Sequence, residues 1–234
     1  KFFGTLYNTS SFFSLYANVD GFRNQDPIVP VNERPEIDRW IISELNTLIK
    51  GVDSCLADYE PTKAGRLISD FVNDNLSNWY VRLNRKRYWG GEYSKDKIAA
   101  YQTLYTCLVE VSKLMAPISP FFADQLYHDL TSVCSSTDES VHLTLFPVYD
   151  EALIDKQLEK QMKLAQQATS MVLALRRKVN IKVRQPLQGI MIPATDDEQK
   201  AHIEAVKTLI MNEVNVKEIK FVDETSGVLV KRVK

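Results

Sequence analysis

Residues 70–89 read DFVNDNLSNWYVRLNRKRYW, and this stretch carries the clearest helical periodicity in the chain. A helix is predicted to begin before it at Pro61, because proline is favoured in a first helical turn, and to end at Gly90. Apolar residues recur along it at steps of three, one and four, as expected for a helix with one buried face. The members of this stripe are Ala64, Leu67, Ile68, Phe71, Val72, Leu76, Trp79, Tyr80 and Leu83. We therefore expect Trp79 and Tyr80 to pack inward.

The end of the same stretch mixes cations with aromatic rings and has no acidic residue after Asp74. Cationic side chains neutralise phosphates, and exposed rings stack on unpaired bases, so this mixture suits a flexible nucleic acid. A solvated basic helix end beside a packing face is the alternative interpretation. Asn78 is predicted to share a stripe with Arg82 and Arg85, and its amide could read a base. The candidate RNA-binding residues here are Asn78, Arg82, Arg85, Lys86, Arg87, Tyr88 and Trp89.

A second basic segment, LRRKVNIKVRQPL at residues 175–187, follows the apolar pattern of a long helix predicted over residues 155–180. It also contains no acidic residue, so it is a second candidate for phosphate binding. Cations at a helix C-terminus also complement the helix dipole, and this structural explanation stays open. The candidate residues are Arg176, Arg177, Lys182 and Arg184.

Further helical patterns lie on both sides of residues 61–89, and a different pattern follows them. Helices are predicted over residues 1–18, 35–56, 94–117 and 121–130, with an extended segment at 141–147. The first helix has a wide apolar face that includes Phe3, Tyr7 and Leu15 and is expected to be buried. After Pro186 the pattern becomes strand, helix, strand, with one more strand possible at Val228 to Val233. We predict a helical bundle over residues 1–150, and a long helix with a small α/β module over 151–234.

Composition narrows the function classes. The formal net charge is −1, so any attraction for an anionic partner must be local. No glycine-rich phosphate loop occurs, which argues against a nucleotide site of that kind. Cys55, Cys107 and Cys134 are far apart and odd in number, which suggests neither a disulfide framework nor a metal site. No apolar run approaches the ~20 residues that cross a bilayer, so we expect no membrane partner and a cytoplasmic protein.

Catalytic constellations are not apparent. The three histidines, His128, His142 and His202, fall in unrelated segments, and no G-x-S-x-G elbow occurs. We therefore expect no catalytic residue in this chain. Because it opens without Met and ends abruptly at Lys234, we also expect it to be part of a longer polypeptide.

Several of these segments together resemble one family, the isoleucyl-tRNA synthetases, in the region that follows the class I catalytic domain. The match includes KFFGTLYNTSSFFSLYAN, DRWIISELN, SNWYVRLNRKRYW, APISPFFADQLY, SVHLTLFP, IKVRQPL and NEVNVKEIKFV. The resemblance implies a mainly α fold, a four- to five-helix class I synthetase anticodon-binding bundle followed by a long helix and a small α/β module. It also implies a monomer that recognises the anticodon stem-loop of isoleucine tRNA and positions it for aminoacylation.

The family's HIGH and KMSKS signatures do not occur in this sequence. The resemblance therefore implies that aminoacylation, with its ATP and magnesium, belongs to a catalytic domain of the same polypeptide, and that this chain needs no cofactor. A helical scaffold or interdomain docking module without independent RNA binding is the alternative function.

Overall fold

The computed structural model describes residues 1–132, 138–193 and 197–222. The chain divides into two compact units, Lys1–Asp155 and Lys156–Lys234. The first unit is built from helices, and the second combines helices with a two-stranded parallel sheet. The predicted fold class, mainly α with a small α/β module, is confirmed. The predicted strand at Val228 to Val233 and the thiol of Cys134 lie outside the described residues.

The first unit contains six α-helices and one π-helical segment among its described residues. They are α1 (Phe2–Asp20), α2 (Glu36–Ala57), α3 (Pro61–Asp70), the π segment (Phe71–Val81), α4 (Arg82–Tyr88), α5 (Lys95–Met115) and α6 (Pro120–Thr131). The helix starts predicted at Pro61 and after Ser94 are confirmed, and the Ser94 hydroxyl accepts the Lys97 amide at 3.3 Å. Helix α5 is central, since Tyr101, Leu104 and Leu108 are completely buried.

The helix that contains residues 70–89 differs from the prediction in its middle. Over the π segment the backbone bonds widen from four residues to five, a spacing that is rare in proteins. Buried residues consequently recur at steps of four and five, from Phe71 to Leu76 to Tyr80 and Val81. Val81, which the α-helical count left off the stripe, is buried, whereas Leu83 is only half-buried. The burial predicted for Trp79 and Tyr80 is confirmed.

Helix α1 forms as predicted but packs only one face. Leu6, Phe13 and Ala17 are buried, while Phe3, Tyr7, Leu15 and Val19 are exposed. The expectation that the whole wide apolar face is buried was wrong, because the π segment and α5 cover one side of α1. The helix ends at Gly21, whose φ of 74° is a conformation that glycine adopts without strain.

Residues 140–150, which we call the strap, run across the first unit from α6 to α2. Near its start is a 3₁₀ turn at Val141–Leu143, whereas an extended segment was predicted there. The turn is held because Asp124 accepts hydrogen bonds from both the Ser140 hydroxyl and the Val141 amide. The chain is extended beyond this turn. Asn46 on α2 accepts the Asp150 amide at 2.8 Å. The strap is therefore fixed by side chains at both ends.

The second unit has the predicted order of long helix, strand, helical segment and strand. Its elements are α7 (Lys156–Lys178), β1 (Leu187–Pro193), α8 (Asp197–Ala205), α9 (Lys207–Val214) and β2 (Val216–Val222). The strands pair in parallel, with Leu187 opposite Val216 and Ile192 opposite Phe221. Met162 and Ala165 on α7, and Ile210 and Val214 on α9, are buried. The single helix predicted between the strands is therefore present as two short helices, α8 and α9, and both of them contact α7.

Candidate nucleic-acid interface

One side of the π segment and α4 presents polar and aromatic side chains to solvent. We call it the basic face and define it as Asn78, Arg82, Arg85, Lys86 and Trp89, all of which are exposed. Each of these positions lies three or four residues from another member of the set, so they occupy successive turns of one side. Trp89 is 56% exposed and can offer an indole ring to a base. The five residues lie on one surface, as the sequence predicted, and this arrangement is compatible with RNA binding.

The cations of the basic face differ in how they are held. The guanidinium carbon of Arg82 lies 5.6 Å from the centroid of the Trp79 ring, within the range of a cation–π interaction. Trp79 is buried, so this contact holds the exposed guanidinium of Arg82 against a ring that is itself fixed by packing. The side chains of Arg85 and Lys86 form no hydrogen bond or ion pair with another residue in the described ranges. Their charges are therefore the ones most readily offered to phosphate.

Arg87 does not belong to the basic face, although the sequence interpretation included it. Its Nη1 and Nη2 donate to the two oxygens of Asp38 at 2.7 and 2.9 Å, and its Nε and Nη2 donate to Asp96 at 2.9 and 2.8 Å. Burial alone would lower the pKa of Arg87, but these carboxylates raise it above its ordinary value. The guanidinium is thus occupied by internal partners, and we remove Arg87 from the direct RNA contacts.

Tyr88 is likewise removed from the candidate surface. Its side chain is 1% exposed, and its hydroxyl donates to the carbonyl of Ala100 at 3.0 Å. Its ring meets those of Phe12 and Tyr101 edge to face, with centroids 5.3 and 5.2 Å away. Burial raises the pKa of Tyr88 above its ordinary value. No face of this ring is available to a base, since Tyr88 completes the apolar side of α4.

Asp38 is the residue of this region that sequence reasoning missed. Its position in the first turn of α2 is one where an acidic residue commonly complements the helix dipole at the surface. Instead its side chain is completely buried and accepts the Tyr80 hydroxyl at 2.8 Å as well as the Arg87 guanidinium. A signal was present in the spacing, because Asp38 precedes the buried residues Ile41 and Ile42 by three and four positions. An acidic residue on an apolar stripe indicates a buried partner.

The second basic segment, in the unit Lys156–Lys234, contains one buried and several exposed cations. Arg177, Lys182 and Arg184 are exposed. Arg176 is 3% exposed, and its guanidinium donates to four backbone carbonyls in the loop after α7 and the loop before β2. The interpretation of Arg176 as a phosphate ligand is therefore corrected: this side chain joins two loops of its own unit.

Other chemistry is sparse in the described ranges 1–132, 138–193 and 197–222. No group of three or more His, Cys, Asp or Glu side chains that could hold a metal ion is found there. Among the same residues Cys55 and Cys107 are free thiols, and burial raises the pKa of Cys107 above its ordinary value. None of the helices described is long and apolar enough to cross a membrane. The basic face is consequently the main candidate site of the first unit.

Comparison with known proteins identifies the kind of domain to which these features belong. The family described as "Anticodon-binding domain of tRNA ligase" matches residues 38–191. The isoleucine–tRNA ligase of Bacteroides thetaiotaomicron is 74% identical over all of this chain, which covers 20% of that protein. That of Porphyromonas gingivalis is 65% identical over all of the chain and 20% of its own length. That of Dehalococcoides mccartyi is 47% identical over 93% of the chain and 21% of its own length. The chain thus spans about a fifth of the length of these curated relatives.

Proposed function

The chain belongs to the family of anticodon-binding domains of tRNA ligases, and from this premise we propose that it binds the anticodon stem-loop of isoleucine tRNA. In this role it positions that tRNA for aminoacylation by a catalytic domain of the same polypeptide. The basic face is the proposed contact, with Arg82, Arg85 and Lys86 on phosphates, Asn78 on a base edge and Trp89 stacked on a loop base. The observation that carries the proposal is the exposure of these side chains on one side of a packed helix.

Electrostatics favour a local contact of this kind. The whole chain carries a formal charge of −1, so it has no general attraction for RNA. Arg85 and Lys86 provide a concentrated positive surface whose charge is not neutralised by neighbouring carboxylates in the described structure. Arg177, Lys182 and Arg184, in the second unit, are proposed as additional contacts to the phosphate backbone. Each phosphate that a cation neutralises releases counterions, which makes the affinity depend on salt.

The test is a titration of a labelled anticodon stem-loop of isoleucine tRNA with the chain, followed by fluorescence anisotropy at several salt concentrations. The salt slope is the steepness with which the logarithm of the binding constant falls as the logarithm of the salt concentration rises. Arg85→Ala is expected to weaken binding and to reduce this slope by about 0.7, the value for one single-strand phosphate contact. Arg66→Ala is the matched control, because Arg66 is also exposed but lies roughly 28 Å away along the same helix at about 1.5 Å per residue. The control is expected to leave both quantities unchanged.

A stem-loop of the same stem with a changed anticodon tests specificity and is expected to bind more weakly. The proposal fails if the wild-type chain shows no saturable binding below about 100 μM at low salt. Equal slopes for Arg85→Ala and wild type would move Arg85 out of the contact surface.

The alternative function, interdomain docking without independent RNA binding, is supported by a different observation. Large apolar side chains are exposed on α1 and on the strap, including Phe3, Tyr7, Leu145 and Val148. Exposed apolar surface of this kind is typical of protein contacts. The same titration separates the two functions, because a docking module would not discriminate between the two anticodons.

A further inference from the structure

The geometry points to the buried carboxylate of Asp38 as the residue that positions the basic face, with Arg87 as its partner. Neither side chain is proposed to touch RNA. Asp38 acts on the face through the two side chains that it binds, Tyr80 and Arg87. This inference rests on the proposed function, because the position of the face matters for binding only if the face contacts RNA.

Asp38 holds the helix at two points. The Tyr80 hydroxyl donates to Oδ1 from the end of the π segment, and Arg87 donates to both carboxylate oxygens from the last turn of α4. The three distances are 2.8, 2.7 and 2.9 Å. A carboxylate without any exposed surface is costly unless its charge is compensated, so these bonds depend on one another. Residues 80–87 are consequently fixed to the first turn of α2.

Arg87 extends the attachment to a third helix. Its Nη2 donates to both the carboxylate and the backbone carbonyl of Asp96, in the first turn of α5, each at 2.8 Å. Its Nη1 also donates to the side-chain oxygen of Asn84, one turn earlier in α4. The guanidinium therefore joins the starts of α2 and α5 to the end of α4, and every one of its nitrogens has a protein acceptor.

The attached side and the basic face are opposite sides of the same turns. Tyr80, Asn84 and Tyr88 are buried, whereas Arg82, Arg85 and Lys86, which lie between them in sequence, are exposed. A shift or rotation of α4 at its attachment would move all three cations together. Ordering them before RNA arrives lowers the entropic cost of binding, which is the physical basis of the positioning role.

Direct electrostatics and positioning predict opposite effects of Asp38→Asn. The substitution removes a negative charge and leaves Arg87 with one carboxylate fewer, so a purely electrostatic surface would bind RNA more tightly. If Asp38 positions the face, the neutral amide weakens the attachment and RNA binding is weaker. Asparagine keeps the size of the side chain, so the two outcomes are not confused by a cavity.

The experiment measures stem-loop affinity and its salt slope for the wild-type chain, Asp38→Asn and Arg87→Lys, at a temperature where circular dichroism shows each to be folded. Both variants are expected to bind at least about 10-fold more weakly with an unchanged slope, because no phosphate contact is lost. Leu130→Ala on α6 is the control for general destabilisation and is expected to keep wild-type affinity while folded. Arg87→Lys carries the test if Asp38→Asn does not fold.

A second readout needs no RNA. Hydrogen exchange of the amides at residues 82–88 is expected to accelerate in Asp38→Asn, with no change in α6. Unchanged exchange, or affinity equal to or tighter than wild type, would overturn the role of Asp38. Failure of the wild-type chain to bind the stem-loop would overturn the proposed function and this role with it. An equal loss of stem-loop affinity in Leu130→Ala and Asp38→Asn would overturn the positioning role alone.

Discussion

Arg176→Met separates a structural arginine from the exposed cations beside it. Arg176 lies at the end of α7 with 3% of its surface exposed. Its Nη1 donates to the carbonyls of Lys182 and Gln185 at 3.2 and 3.0 Å, and its Nη2 to those of Val214 and Asn215 at 2.7 and 3.0 Å. Methionine preserves the unbranched shape of the side chain but donates no hydrogen bond. The substitution therefore tests the four bonds with little change in packing.

The expected cost follows from where these carbonyls lie. Val214 is buried, so its carbonyl would lose its charged partner without access to water, at about 1 to 3 kcal/mol. Lys182 and Gln185 are exposed, so their carbonyls can hydrate, and each lost bond costs about 1 kcal/mol or less. The substitution also removes the desolvation penalty of the buried Arg176 guanidinium, which offsets part of this cost. A net destabilisation of about 3 kcal/mol is expected for the unit Lys156–Lys234.

Native-state hydrogen exchange measures this quantity within one unit. A loss of about 3 kcal/mol reduces the protection of amides in β1 and β2 by roughly 100-fold. Arg177→Met, which alters the exposed neighbour, is expected to leave protection unchanged. If Arg176→Met and Arg177→Met gave the same protection as wild type, the bonds to the two loops would contribute no stability and the structural assignment of Arg176 would be wrong.

Two further predictions concern the first unit. Tyr88→Phe removes the hydroxyl that donates to Ala100 and is expected to cost about 1 kcal/mol in urea denaturation while stem-loop affinity stays unchanged; weaker binding by a folded variant would return Tyr88 to the contact surface. Burial alone would raise the pKa of Asp20, but hydrogen bonds from Lys97 and Tyr101 lower it below its ordinary value of 3.8. Because the folded pKa is the lower one, the stability from Asp20 is complete above the unfolded pKa and is lost as the pH falls through the folded pKa. The stability difference between wild type and Asp20→Asn is therefore expected to shrink as the pH falls below about 4, and a constant difference would contradict the assignment.

The helices were predictable because local periodicity reports burial on one face. Pro61 marked a helix start, and the changed pattern after Pro186 indicated the strand, helix, strand order that the structure has. The π segment was not predictable in this way, because steps of four and five resemble an irregular α-helical stripe. The family resemblance was confirmed by the match of residues 38–191 and by relatives that cover the whole chain.

The arginines show the limit of local sequence for site residues. Arg85 and Arg87 are two positions apart in one basic run, yet one is exposed and the other joins three helices. What separates them is Asp38, 49 positions away in sequence. Arg176 similarly binds carbonyls up to 39 positions away. Burial of a charged side chain depends on such distant partners, and a pattern within one helix contains no information about them.

The π segment makes the number of residues in this helix as important as their identity. Each α-helical residue turns the chain by about 100°, so the twelve steps from Ile68 to Tyr80 would leave the two side chains about 120° apart in an unbroken α-helix. Ile68 and Tyr80 both pack inward, so the wider turns of the π segment bring Tyr80 back to the buried side. A substitution alters one contact, whereas a change in the width of these turns alters the angular phase of every later contact. An unbroken α-helix would need one residue fewer here to keep the same two side chains buried.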